Sequence, residues 1–449
     1  MNEDNIPTLC ATGKSETPER VLLLACVLPS EQDWDPDDAL SELTELVRTA
    51  GGQVVDRVVQ HRSRPDPATY IGRGKAQEVA ALCQDKAIDL VVFDGSLAPG
   101  QASNLEEVID RPVLDRTGLI LDVFARRAKT SEGKLQVELA QLQYALPRLV
   151  GSHRALSRTG GGIGTRGPGE TKLETDRRRI RDRMAVLRRE LRDLQSRRAT
   201  HRAARRQVPV PVAALVGYTN AGKSTLLNAL TGSNVLAEDR LFSTLDPTAR
   251  RLLLPNHQEL ILTDTVGFVR RLPPMLTAAF KATLEEVVDA DLLIHVIDVS
   301  HPRWEAQAET TLRVLHEIGA GNTPMVVALN KIDLLPDPTV APLRHCRGHE
   351  FCAAVSALRH IGLEQLLEQV EKALASRREL LTVSVPYDRA EVLAAIRAHG
   401  YVTEELYGES SVLVTAEMEK AWAGRIRNAL ARGDAMVPGP GQGEENGNG

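Results

Sequence analysis

The sequence predicts an α/β protein whose largest unit is a P-loop domain, a mixed sheet with helices on both faces. Three observations predict it. Short apolar runs alternate with amphipathic stretches across residues 20–130 and again across 208–376, the pattern of βαβ units. Between these regions, leucines recur in steps of three and four, the spacing of a helical seam. Finally, Gly217-Tyr-Thr-Asn-Ala-Gly222-Lys223-Ser224 follows an apolar run and opens a helical one, the setting of a phosphate loop. The expected order is a flexible N-terminus (1–19), a small α/β domain (20–130), an antiparallel coiled-coil hairpin (131–207), the P-loop domain (208–376), a small α+β domain (377–436) and a disordered tail (437–449).

The first domain reads as a strand at 21–27, a helix at 37–49, a strand at 53–60, a helix from about 75 to 85 and a strand at 89–93, closing near residue 125. Gly72-Arg-Gly-Lys75 could touch phosphate or simply turn the chain into its helix, and the full phosphate-loop spacing is absent. In the hairpin, Leu135, Leu139, Leu142, Leu146 and Leu149 form one seam, and Leu173, Ile180, Met184, Leu187, Leu191 and Leu194 the other. Seven glycines in residues 151–169 form the tip between them. The last module reads strand (380–385), helix (390–399), strand (401–406), strand (411–415) and helix (417–430).

A length of 449 residues, at roughly 150 per domain, predicts about three domains with sizeable cores. Hydrophobic residues at 42% and charged residues at 26% are an ordinary globular balance. A net charge of -5 excludes a uniformly basic nucleic-acid coat, but residues 151–206 hold 17 Lys or Arg against six Asp or Glu. That basic hairpin in an otherwise acidic chain is either a solvated coiled-coil face or a contact for a polyanion. Arg154, Arg158 and Arg166 at the glycine-rich tip favour RNA. Tyr144 is the hairpin's one aromatic residue, so base stacking is not supported.

Five cysteines, Cys10, Cys26, Cys83, Cys346 and Cys352, include no C-x-x-C pair, so no disulfide scaffold or zinc module is expected and a reducing cytoplasm fits best. The N-terminus is acidic where a signal peptide needs positive charge. The apolar run Val21–Leu28 stops at Pro29, too short for a bilayer span. None of the 11 histidines forms a metal-binding pattern.

The P-loop domain carries the chemistry. Backbone N–H groups of Gly217, Tyr218, Thr219, Asn220, Ala221 and Gly222 can close around phosphate oxygens at a helix N-terminus. Lys223 can then reach the β- and γ-phosphates and the Ser224 hydroxyl can ligate Mg²⁺. Leu260-Ile-Leu-Thr-Asp264-Thr265-Val266-Gly267 ends an apolar strand on an aspartate that can hold Mg²⁺ through water, and Gly267 N–H can meet the γ-phosphate. Met325–Leu329 runs into Asn330-Lys331-Ile332-Asp333. There a carboxylate can accept both N1–H and N2–H₂ of guanine, which adenine lacks, so Asp333 selects GTP over ATP. Lys331 can lie across the base and Asn330 can brace the loop. Ser356, Ala357 and Leu358 can offer backbone N–H groups to the guanine O6. Four motifs in order make this a GTP-binding domain, with Thr244 and Thr248 as candidates for the switch threonine that closes on Mg²⁺.

The glycine-rich Gly160–Glu170 run, the phosphate loop, Phe242-Ser243-Thr244-Leu245-Asp246-Pro-Thr248 and Asp264-Thr-Val-Gly-Phe268 together resemble the HflX family of ribosome-associated GTPases. The resemblance spans most of the chain. It implies binding to the large (50S) ribosomal subunit, with the first domain and hairpin near the peptidyl transferase centre of the 23S rRNA and ribosome splitting by some members under stress. It also implies that Thr244 is the switch Mg²⁺ ligand and that residues 242–246 contact nucleotide.

One position departs from Ras-like enzymes: Phe268 stands where a glutamine would orient the attacking water. Lys223, Thr244 and Gly267 are therefore the expected catalytic groups, intrinsic hydrolysis is expected to be slow, and a partner is expected to accelerate it. Asn220 is a candidate K⁺ ligand, with a plain turn-forming role as the alternative. A monomer that acts on ribosomes is the leading expectation. The alternative is a GTP-state switch recruiting a protein, such as a membrane protease regulator at the membrane periphery, through the hairpin. DNA is not an expected partner, and no helicase motif set accompanies the phosphate loop.

Overall fold

The computed structural model describes residues 18–29, 35–152, 168–205, 210–232, 242, 248–270, 281–336, 346 and 349–432. Three sheets organise the described residues.

The first sheet has the order β2-β1-β3-β4 and is parallel throughout. It contains β1 (Arg20–Val27), β2 (Gln53–His61), β3 (Leu90–Phe93) and β4 (Val113–Asp115). Strand β1 is almost continuously apolar because both its faces are covered. Val21, Leu23 and Ala25 enter one core, while Leu22, Leu24 and Cys26 enter another. Helix α1 (Pro36–Thr49) is started by Asp35, whose carboxylate accepts from Asp37 N–H, and by Pro36 in the first turn. It buries Leu40, Leu43, Leu46 and Val47 along one stripe. Helices α2 (Arg73–Asp85), α3 (Pro99–Ile109) and α4 (Arg116–Arg127) complete the layer. The sequence reading closed this unit near residue 125 without resolving α3 and β4, whose three-residue strand is too short to show periodicity.

Helix α5 (Ser131–Ser152) packs along α6 (Pro168–Arg205). Arg183 donates to both Glu138 carboxylate oxygens at 2.7 and 2.9 Å, and the two residues lie nearly equidistant from the break between the helices, as antiparallel packing requires. Ile180, Met184 and Leu187 are buried as a seam. The leucines of α5 are only half-buried. Val137, Ala140 and Tyr144 are buried instead, within the core shared by the first two sheets, so α5 is docked on α3 and α4 as well as paired with α6. Heptad spacing revealed one of its two apolar faces. The tip residues Arg154, Arg158 and Arg166 lie outside the described residues.

The second sheet has the order β10-β9-β8-β5-β7-β6. Strands β5 (Val212–Val216), β7 (Glu259–Asp264), β8 (Leu292–Asp298), β9 (Met325–Asn330) and β10 (Cys352–Ala354) are parallel. The edge strand β6 (Thr248–Leu253) is antiparallel to β7. Helices α7 (Lys223–Thr231), α8 (Lys281–Val288), α9 (Trp304–Glu317) and α10 (Leu363–Arg377) accompany it. Alternate residues of β5 again serve two cores. Ala213 and Leu215 join one, while Ala214 and Val216 join the core that also holds Leu23 and Phe124 of the first unit. Cys346 and Cys352 form a disulfide across six positions, a local crosslink where the composition led us to expect free thiols; Cys26 and Cys83 are buried thiols.

The third sheet, β11 (Arg378–Pro386), β13 (Ser411–Glu419) and β12 (Gly400–Tyr407), is antiparallel. Helices α11 (Ala390–His399) and α12 (Lys420–Arg432) accompany it. Strand β13 runs on to Glu419, so α12 starts three residues later than its sequence suggests.

Candidate functional site

Strands β5, β7 and β9 bring their C-terminal ends to one edge of the second sheet, where ligands gather in open α/β folds. The turn after β5 carries Gly222 at φ +93°, capping the N-terminus of α7. A side chain there would meet Asn330 Nδ2 at 2.3 Å, so only glycine lets the base loop approach the phosphate loop. Asn330 Nδ2 instead donates to Ala221 O at 2.8 Å, and Asn330 Oδ1 accepts from Ala357 N–H at 3.0 Å. One buried amide thus joins three of the four motifs.

Lys223 is buried, its Nζ donating to Gly217 O and Tyr218 O at 3.1 and 2.9 Å. Burial pushes the ammonium down to about 8, against the opposing pull of Asp264. An incoming phosphate would supply the missing countercharge. Ser224 Oγ donates to Asp264 Oδ2 at 2.6 Å, and Asp264 is fully buried at the end of β7. A hydroxyl and a carboxylate at one spot are hard oxygen donors suited to Mg²⁺ completed by phosphate and water. Among the described residues no cluster of three His, Cys, Asp or Glu could hold a metal on its own. Thr265 Oγ1 donates to Leu215 O at 2.5 Å, fixing the turn after Asp264 to β5. Val266 is buried beside it.

At the base end, Lys331 takes φ +64° and its Nζ meets Asp298 Oδ2 of β8 at 2.7 Å. Ile332 is buried, whereas Asp333 is half-exposed in the short 3-10 turn Ile332–Leu334. Ser356 is buried and accepts from Arg359 N–H at 3.1 Å; Leu358 is exposed. Asn220 is exposed at φ +61°. Ser243, Thr244, Leu245 and Asp246 lie outside the described residues. Phe242 is described: its ring is buried against Phe124 of α4, centroids 4.6 Å apart, so the side chain faces the core rather than the phosphate edge. Thr248 opens β6 in register with Asp264.

Sequence reasoning missed a set of charged residues that meet this site from the first unit. Tyr218 Oη donates to Glu42 Oε2 at 2.5 Å and accepts from Arg270 N–H at 2.7 Å. Arg270 Nη2 donates to Asp94 Oδ2 at 2.7 Å, and Arg116 bridges Asp94 and Glu42. The fully buried Arg116 stays charged, since the two carboxylates raise its basicity further than burial lowers it. Nothing in the spacing of these residues marks them as partners. The available signal was slight: Asp94 and Arg116 stand directly after β3 and β4, whereas Glu42 lies inside α1 and Arg270 lies beyond the end of β7.

A parallel sheet with one antiparallel edge, delivering a phosphate loop, a strand-end aspartate and an Asn-Lys-Ile-Asp loop to the same edge, defines a P-loop GTPase. Profiles of known families match three consecutive stretches: residues 37–125 as "GTP-binding GTPase N-terminal", 127–205 as "GTP-binding GTPase Middle Region" and 212–331 as "50S ribosome-binding GTPase". The chain is 46% identical to GTPase HflX of Caldanaerobacter subterraneus, over 94% of this chain and 96% of that one. It is also 46% identical to GTPase HflX of Lacrimispora saccharolytica, over 89% and 94%, and 44% identical to that of Escherichia coli K12, over 79% and 83%. The chain belongs to the HflX family, and it is a GTPase.

Proposed function

We propose that this GTPase works on the large ribosomal subunit in the cytoplasm, that the ribosome stimulates its hydrolysis, and that the cycle serves ribosome dissociation or rescue under stress. The observation that carries the reading is Phe268. Its side chain is only 2% exposed and packs in the core shared by the first two sheets, so it neither orients water nor can swing out cheaply to do so. Lys223 and the Gly267 N–H are left to stabilise the γ-phosphate, with Thr244 closing from the switch. Loss of one such transition-state group commonly costs about 10²–10³ in rate, which a large partner can restore by ordering the switches. The excess of basic residues in 151–206 and the description of the profile matching 212–331 both favour the 50S subunit as that partner.

In this reading Ser224 and Asp264 hold Mg²⁺, which when bound neutralises charge on the β- and γ-phosphate oxygens. Asp333 selects guanine. The left-handed backbone of Asn220 suits asparagine as a turn former, and equal rates in K⁺ and Na⁺ would exclude a K⁺ role for it.

GTP turnover of the full chain, with and without purified 50S subunits and with Lys223→Ala as the blank, tests the proposal. Stimulation of about tenfold or more is expected, weakening steeply with salt. No stimulation, with GTP still bound, would favour a switch that recruits a protein through α5 and α6. Among the described residues no helix is long and apolar enough to cross a membrane.

A further inference from the structure

We propose that Tyr218 is a positioning residue for GTP hydrolysis, tying the Gly267 loop to the phosphate loop and both to a buried charge cluster of the first α/β unit. This rests on the reading of Gly267 N–H as a γ-phosphate contact. Tyr218 is the second residue of the phosphate loop, a place where the phosphate contacts use backbone and leave the side chain open. Here that side chain points away from the nucleotide edge and is 5% exposed. Burial first, and then the charge of Glu42, push its hydroxyl well above the ordinary phenol range. It therefore remains a donor to Glu42 while accepting the Arg270 N–H.

The bonds close a ring. Tyr218 holds Glu42, Glu42 holds Arg116, Arg116 holds Asp94 at 2.9 Å, Asp94 holds Arg270, and Arg270 returns to Tyr218. Two guanidinium groups face two carboxylates, so the ring is neutral. Buried ion pairs add little net stability but permit only a narrow range of geometries. Arg270 is gripped twice, through its backbone N–H and its guanidinium, three residues beyond Gly267.

Between those points the two loops run as a short parallel ladder. Thr219 N–H donates to Phe268 O at 2.7 Å and Phe268 N–H to Gly217 O at 3.1 Å. Gly267 is pressed so close that a side chain would meet Thr219 Cγ2 at 2.7 Å and Lys223 Nζ at 3.0 Å. The Gly267 backbone thus stands beside the ammonium that serves the γ-phosphate. With phenylalanine in place of the water-orienting glutamine, the placement of this backbone is what the loop has to offer. Tyr218 sets it, and Glu42 and Asp94 in the first unit set Tyr218.

The test is Tyr218→Phe in the full chain, which keeps the ring and deletes the hydroxyl. Three readouts are taken: intrinsic kcat for GTP, GDP affinity, and amide exchange of residues 266–270. We expect kcat to fall about tenfold, the loss typical of a displaced transition-state contact, with GDP affinity within about twofold and faster exchange. Glu42→Ala should reproduce this from the other unit, and Glu42→Gln, which keeps an acceptor for the hydroxyl, should recover part of kcat. Faster exchange with unchanged kcat would show the tie intact as structure but Gly267 irrelevant to hydrolysis. Unchanged exchange and kcat would overturn the tie itself. A parallel loss of GDP affinity and kcat in both Tyr218→Phe and Glu42→Ala would mark the cluster as merely structural and overturn the proposal.

Discussion

The first sheet and the C-terminal sheet flank the same GTPase domain, but among the described residues only the first shares an apolar core with it. Leu23, Leu43 and Phe124 from one side and Val216, Phe242 and Phe268 from the other are parts of one buried cluster. The buried ion ring crosses the same boundary. The C-terminal sheet closes its own core from Leu381, Val392, Ile396, Val414 and Ile426. Close-packed interiors resist continuous deformation, so a change at the phosphate edge must be accommodated by the first unit, whereas the third sheet can ride along unaltered.

The largest effect should come from Arg116→Met. It leaves Asp94 and Glu42 buried without their shared countercharge, a loss of about 3–5 kcal/mol by precedent for broken buried pairs. Chemical denaturation should show one lowered transition covering the first sheet and the GTPase domain together. A variant that unfolds the first sheet alone would break the comparison.

Acid provides a second, intermediate probe. His295 lies on β8 within the second sheet, where burial first, then His349 and Lys223, push it down to about 3. Its folded value lies below its unfolded one, so the unfolded chain binds the extra proton and stability falls as pH drops from about 6.5 toward 3. At pH 4 the loss should be about 3 kcal/mol, and His295→Leu should flatten it. Amide exchange at pH 4 and 7 should show the first two sheets weakening together ahead of the third. A third sheet that weakens equally would mean its core is less private than it looks.

The smallest effect on activity is expected from Ile396→Ala. Removing this fully buried side chain should cost the third sheet about 2–4 kcal/mol, visible in its own exchange, while intrinsic GTP turnover stays within about twofold. A larger drop in turnover would tie the C-terminal module to the nucleotide site after all.

The same contrast explains what the sequence made legible. The phosphate loop, the strand-end Asp264 and the Asn330–Asp333 loop are local motifs, in which spacing along the chain is itself the geometry. The continuously apolar β1, β5 and β9 announced the parallel sheets in the same way. The ion ring was invisible because Tyr218 and Glu42 stand 176 positions apart, as do Arg270 and Asp94, and no local spacing links them. Helix α5 was half-legible: its leucine steps showed, but the face made of Val137, Ala140 and Tyr144 mixes small, branched and aromatic residues that no simple repeat selects. The Cys346–Cys352 crosslink escaped because its spacing matches no metal or redox motif.

The contact between Phe124 and Phe242 has a consequence for how such a protein can be rebuilt. A module that keeps its core to itself can be exchanged between relatives like a part with a standard fitting. Units that interleave aromatic rings across their boundary must be inherited together. The chain up to Arg377 is in this sense a single piece, and the third sheet that begins at Arg378 is the replaceable one.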